Sequence, residues 1–178
     1  MTIEQAIRLI NCTGISVTNP TAWADLGAGT GIFTKALASL IAPGSKILAV
    51  DADSSALRQI NLPETVRLRR EVQDFTKIEL EPASLDGLLM ANSLHFVRDK
   101  QSFLKRTSGF LVDQGTILIV EYDMTKSNPW VPYPVSFDEL GKIFISTLGL
   151  RIRKIAETPS LYRRGMIYGS WARLDRDS

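Results

Sequence analysis

A chain of 178 residues with 44% apolar side chains, 22% charged side chains and a net charge of +2 has the balance of a folded domain with one core, not of a disordered segment. The single cysteine, Cys12, excludes an internal disulfide, and the single histidine, His95, leaves no Cys/His cluster at metal-ligand spacing, so no metal is expected. The start MTIEQAIRLI lacks the character of a signal peptide, and no run approaches the roughly 18 apolar residues that cross a bilayer. The expectation is one cytoplasmic domain over residues 1–178, without membrane contact.

Thr2 and Gln5 have the spacing of a capping box, and Ile3, Ala6, Ile7 and Ile10 fall on one helical face, which predicts a helix over 3–11. After Asn19-Pro20, TAWADL reads as a short buried strand that runs into glycines, followed by a helix, TGIFTKALASLI, stopped by Pro43-Gly44. KILAVD is a second buried strand ending in an acid, SSALRQI a helix halted before Pro63, and VRLRREVQDF a third strand by alternation. LDGLLMANSL follows as strand and turn, DKQSFLKRTSGFL as helix, and GTILIVEYD as an apolar strand ending in acids. SFDELGKIFISTLG carries Ser136 as N-cap, acids in its first turn and Gly149 at its end, the marks of a well-bounded helix. LRIRKIAET and MIYGSWARL are two strands joined by PSLYRRG, too short for a crossover, and therefore an antiparallel hairpin. Seven strands alternating with helices predict an α/β fold with a mainly parallel sheet covered on both faces.

In such a sheet, ligands bind at the carboxyl ends of the strands. There the sequence DLGAGTG offers Gly27, Gly29 and Gly31, which allow a sharp turn and close approach of a ligand. A nicotinamide fingerprint would need a third glycine where Ile32 stands, and no G-K-[ST] follows for a phosphate loop. Asp25, just before the turn, would repel a pyrophosphate and suits a ligand carrying an ammonium group. Asp51 closes the second strand, where an acid can accept from both ribose hydroxyls.

With these residues the sequence resembles the class I S-adenosylmethionine-dependent methyltransferases, from Ala22 to Leu174. WADLGAGTG is similar to the family's first motif, AVDAD to its second, EVQDF to its third and LDGLLMANSLHFV to its fourth. The resemblance implies a Rossmann-like, doubly wound seven-stranded sheet and S-adenosylmethionine as cofactor. It implies that Gly27, Ala28, Gly29 and Gly31 pass around the methionine portion, whose amino group Asp25 positions. Asp51 would hold the ribose beside Ala52, Asp74 would accept from the adenine amino group, and Phe75 would pack on the ring. Asn92 and Ser93 would lie beside the transferred methyl, with His95 a candidate general base.

Many relatives carry Pro-Gly-Gly where this chain has VDQGT, which weakens assignment to a close subfamily. NSLH in place of Asn/Asp-Pro-Pro-aromatic favours a small-molecule methyl acceptor over a nucleobase. Trp130 and Tyr133, in YDMTKSNPWVPYPVS, suit a substrate wall or a contact in a homodimer. Arginines at Arg67/Arg69/Arg70, at Arg151/Arg153 beside Lys154, and at Arg163/Arg164 read first as solvated strand faces and turns, and keep an RNA methyltransferase open as an alternative. A noncatalytic S-adenosylmethionine-binding module is a second alternative. A nicotinamide oxidoreductase is disfavoured by Ile32 and Asp25.

Overall fold

The computed structural model describes residues 1–160 and 165–175. Helix α1 (Ile3–Ile10) starts in the expected capping box: the Gln5 backbone N–H donates to Thr2 Oγ1 at 3.2 Å, and the Thr2 N–H donates to Gln5 Oε1 at 2.9 Å. Strand β1 (Ala22–Leu26) is buried along its whole length and feeds, through the glycine turn, into α2 (Ile32–Ala38). Then follow β2 (Lys46–Asp51), α3 (Ser54–Leu57), β3 (Arg67–Val72) and β4 (Leu85–Ala91). The second half contains α4 (Lys100–Ser108), β5 (Leu111–Tyr122), α5 (Phe137–Leu148), β6 (Arg153–Pro159) and β7 (Met166–Arg173).

The seven strands form one sheet in the order β3-β2-β1-β4-β5-β7-β6, parallel except that β7 runs antiparallel to both β5 and β6. The expected mainly parallel sheet with a C-terminal antiparallel hairpin is therefore present. The hairpin's connecting residues 161–164, including Arg163 and Arg164, lie outside the described residues. Strand order reverses between β1 and β4, so the crevice for a ligand opens beyond Leu26 and Ala91. Register sets the neighbours there: Leu26 pairs with Val50, and Asp51 with Val72.

Both faces are covered, which is why the inner strands read as continuous apolar runs. On one face α1 and α2 bury Leu9, Ile10, Phe33 and Leu37 against Trp23, Ile47, Leu89 and Leu118. On the other, α4 and α5 bury Phe103, Leu104, Leu140 and Phe144 against Leu88, Met90, Ile117 and Ile119. Helix α1 approaches β7 so closely that a Cβ on Gly169 would lie 1.8 Å from the Leu9 carbonyl oxygen.

Two helices are shorter than their sequence pattern. Beyond Ala38 the Leu37 carbonyl takes both the Leu40 and the Ile41 N–H, a mixed 3₁₀ and α end, and beyond Leu57 the Gln59 and Ile60 N–H groups turn to Ala56 and Leu57 at 3₁₀ spacing. Strand β5 starts earlier than expected. Leu111 already pairs with Leu85, and the ladder resumes at Gly87 and Thr116 after an irregularity that takes up VDQG, with Gln114 at φ +60°.

Candidate functional site

The crevice is built from the turn after β1. Its glycines are required by geometry at two places. Gly27, at φ +81°, is hemmed in so that a Cβ would lie 2.5 Å from that of Ser93, and Gly31, at φ +80°, so that one would lie 2.6 Å from Ile60. The Gly27 and Ala28 N–H groups both donate to the Val50 carbonyl, at 2.9 and 3.0 Å. Asp51 fastens the same turn from β2. Its Oδ2 accepts from the Gly29 N–H at 2.8 Å and its Oδ1 from the Asp53 N–H at 2.9 Å, while Ala52 between them is exposed.

Asp25 lies beneath this turn and is only 1% exposed. Its Oδ2 accepts from the Thr34 hydroxyl at 2.6 Å, and its Oδ1 is buried with no hydrogen-bond partner. Burial first, and the negative charge of Asp51 second, push its carboxyl up to about 7 against the opposing Thr34 hydrogen bond. A buried acceptor of this kind carries a desolvation penalty that a cationic donor would remove. The site therefore fits a ligand with an ammonium group at this point. Thr34, which orients the carboxyl, escaped the sequence reading, because a threonine inside an apolar helical run carries no signal until the helix is docked on β1.

Asp74 and Phe75 stand in the connection from β3 to β4. Asp74 caps a three-residue turn over Phe75–Lys77: its Oδ1 accepts from the Thr76 N–H at 3.0 Å and hydroxyl at 2.6 Å, which holds the carboxyl below the usual carboxylate range. The Phe75 ring packs edge-on against Phe103 with centroids 6.0 Å apart, and its rim borders Gly27. The turn follows β3 directly, and the Gln73 N–H before it donates to the Asp51 carbonyl at 3.0 Å, which places it beside Asp51.

Beyond β4, Asn92 adopts φ +53° and its Oδ1 is buried without a partner. Ser93, 2% exposed, spends its hydroxyl on the Leu26 carbonyl at 2.6 Å, tying the ends of β1 and β4 together. His95 is buried and is gripped twice by Glu121 of β5: its backbone N–H donates to Oε1 at 3.0 Å, and its ring Nδ1 lies 2.8 Å from Oε2. A carboxylate facing Nδ1 selects the tautomer protonated there and leaves Nε2 as an acceptor. Glu121, which holds His95 in place, also escaped the sequence reading, although an acid at the end of an otherwise apolar strand was its signal.

Around His95 the surface is aromatic. Phe96, 52% exposed, lies 4.3 Å from the His95 ring by centroids, and Tyr122 lies at 6.0 Å. The segment after β5 is anchored by buried Val131 and Val135, by Asn128 Oδ1 accepting from the Trp130 and Val131 N–H groups, and by the Tyr133 N–H donating to the His95 carbonyl. Lys100 reaches up from α4 and donates to the carbonyls of Val97 and Tyr133 at 2.9 and 2.7 Å. Trp130 remains 71% exposed. A small cavity of about 80 Å³ lies alongside, lined by Gln5, Phe33, Asn92, Tyr122 and Thr158 among others.

The arginine groups lie elsewhere. Arg70 donates to the Leu57 and Ile60 carbonyls at the end of α3, and Arg69 pairs with Glu71. Arg153 and Arg173 flank Trp171 in a groove of about 640 Å³ near the amino ends of the parallel strands, away from every candidate residue above. Among the described residues no helix is long and apolar enough to cross a membrane, and no group of three or more His, Cys, Asp or Glu side chains could hold a metal ion.

Comparison with known proteins agrees with this arrangement. Residues 24–117 match the model of a methyltransferase domain. No curated protein matches the chain at a significant level. Among solved structures it is similar to the 1,6-didemethyltoxoflavin-N1-methyltransferase of Burkholderia thailandensis, solved with 1,6-didemethyltoxoflavin and S-adenosylhomocysteine bound. That match has a TM-score of 0.72 at 19% identity, over 97% of this chain and 78% of that one. It is similar also to a SAM-dependent methyltransferase of Aquifex aeolicus (TM-score 0.66, 17% identity, 97% and 96% covered). A third similar structure is the arsenic(III) S-adenosylmethionine methyltransferase of Chlamydomonas reinhardtii (TM-score 0.68, 14% identity, 98% and 73% covered). Because the matching model spans more than half of the residues and covers the glycine turn, Asp51 and the end of β4, the chain belongs to the methyltransferase-domain family and is a class I S-adenosylmethionine-dependent methyltransferase.

Proposed function

We propose that the protein methylates a small, flat organic acceptor held over the carboxyl ends of β4 and β5. The observation that carries the donor half of this reading is the unpartnered, buried Oδ1 of Asp25 beneath the glycine turn. In this reading Asp25 receives the donor's amino group, and Gly27, Ala28, Gly29 and Gly31 wrap its methionine portion. Asp51 takes the ribose hydroxyls, Ala52 and Phe75 border the adenine, and Asp74 accepts from the adenine amino group. When bound, S-adenosylmethionine supplies a methyl group made electrophilic by a positive sulfur.

Asn92, with its Oδ1 buried and unpartnered, accepts from an N–H or O–H of the acceptor. Ser93 serves as a wall, since its hydroxyl is committed to Leu26. Phe96, Trp130 and Tyr133 offer flat apolar surface for a ring, which favours an acceptor wall over a homodimer contact. His95, whose ring Glu121 orients through Nδ1, would take the acceptor's proton at Nε2 as the methyl group is transferred. An arsenic(III) acceptor is unsupported, because a soft ion of that kind is held by thiolates and the chain has only Cys12. That lone thiol also accords with a cytoplasmic setting. Residues 1–178 form one domain in this reading, supported by the single sheet.

The test is transfer of a labelled methyl from the donor to metabolites of a cell extract. One or a few small aromatic or heteroaromatic products are expected, with turnover lowered by about 10²–10⁴ in His95→Ala while S-adenosylhomocysteine still binds. Label in RNA alone, or in nothing, would overturn the acceptor assignment.

A further inference from the structure

Between β3 and β4 the chain runs from Gln73 to Ser84 with one three-residue turn as its only regular structure. That turn closes on itself through the Lys77 and Ile78 N–H groups, which donate to the carbonyls of Asp74 and Phe75. Besides buried Ile78 and the Gln73 N–H, which donates to the Asp51 carbonyl at 3.0 Å, it is fixed to the rest of the molecule from α4. Arg106 Nη2 donates to the Thr76 carbonyl at 2.6 Å, and Nη1 donates to the Ile78 carbonyl and to Glu79 Oε1. One turn earlier, Phe103 meets the edge of Phe75, and the Arg106 guanidinium lies over the rings of Phe103 at 5.6 Å and Phe110 at 6.0 Å. A single helix face therefore supplies a polar and an apolar hold on the segment that carries Asp74 and Phe75.

We infer that Arg106 is a positioning residue for recognition of the donor's adenine, an inference that rests on the proposed roles of Asp74 and Phe75. The guanidinium is a planar fork with several donors, so one side chain satisfies two carbonyls of the same turn at a fixed separation; a lysine ammonium on a flexible stem does not reproduce that geometry. Asp74 spends Oδ1 inside the turn, which leaves Oδ2, 3.6 Å from Lys77 Nζ, as the oxygen open to a ligand. The direction of Oδ2 is therefore the direction of the turn, and Arg106 sets it. Without Arg106 the turn keeps its internal bonds and buried Ile78, so the loss falls on recognition of the base and not on folding of the domain.

The test compares calorimetric affinities for S-adenosylhomocysteine and S-inosylhomocysteine, in which a carbonyl replaces the adenine amino group, in wild type, Arg106→Gln and Arg106→Lys. Wild type is expected to prefer the adenine form by about tenfold, the worth of one hydrogen bond. In Arg106→Gln that preference collapses toward unity while the inosine form binds nearly as before, and Arg106→Lys falls between. If Arg106→Gln does not fold, Arg106→Lys carries the same comparison. A folded variant that retains the wild-type preference, or loses both affinities by the same factor, overturns the inference. A wild-type protein that binds both forms equally overturns instead the role of Asp74 on which it rests.

Discussion

Beneath the glycine turn, the carboxyl of Asp25 is pushed up to about 7 by burial, with the charge of Asp51 adding to the shift. A ligand ammonium beside Asp25 needs the ionised form, so below pH 7 binding must release a proton. Affinity for S-adenosylhomocysteine is therefore expected to weaken by up to about tenfold per unit as pH falls below 7, and to level off above it. Asp25→Asn should bind weakly at every pH and show no such slope; a wild-type affinity that is flat from pH 5.5 to 8 would remove the ammonium contact. The same raised value makes Asp25 a cost to folding. The unfolded carboxyl ionises near 4 and the folded one near 7, so stability declines as pH rises between them. The positions of Asp25 and Asp51, at strand ends around a glycine turn, were legible in the sequence. The partners of Thr34 and Glu121 were not legible, because Thr34 meets Asp25 only when α2 docks on β1 and Glu121 meets His95 only when β5 pairs with β4.

The elements were legible where apolar pattern and terminus chemistry agreed. The capping box of α1, the Ser136 cap and the Gly149 end of α5 all formed where the residues placed them. The ends of α2 and α3 fell short, since a final 3₁₀ turn satisfies the same apolar spacing as a helix. Packing between strands was not legible at all. Gly87 of β4 faces Trp23 of β1, and a Cβ there would lie 2.2–2.4 Å from three atoms of the buried indole. Gly87→Ala is expected to cost about 1–3 kcal/mol and to lower the melting temperature by roughly 5 °C, whereas Gly165→Ala, which meets nothing within 4 Å, should melt with wild type. Equal melting of the two variants would show that the β1–β4 contact can relax.

At the scale of the molecule, one topological fact organises the rest. The reversal between β1 and β4 brings Asp25, the glycine turn and Asn92 to one crevice, with Asp51 and Asp74 on the β2–β3 side and the aromatic segment after β5 on the other. The residues proposed for the donor were legible in the sequence because each lies at or just beyond the end of a successive strand. The proposed acceptor side brings together the end of β4 and a long connection after β5, whose convergence no short motif announces. The central claim is that the glycine turn takes a sulfonium nucleoside cofactor and not a dinucleotide. Calorimetric titration of the folded protein with S-adenosylhomocysteine, set beside NADH, tests it directly. Saturable binding of S-adenosylhomocysteine, weakened by about 1–3 kcal/mol in Asp51→Ala, with no heat from NADH, is the predicted result. Binding of NADH with none of S-adenosylhomocysteine would contradict it.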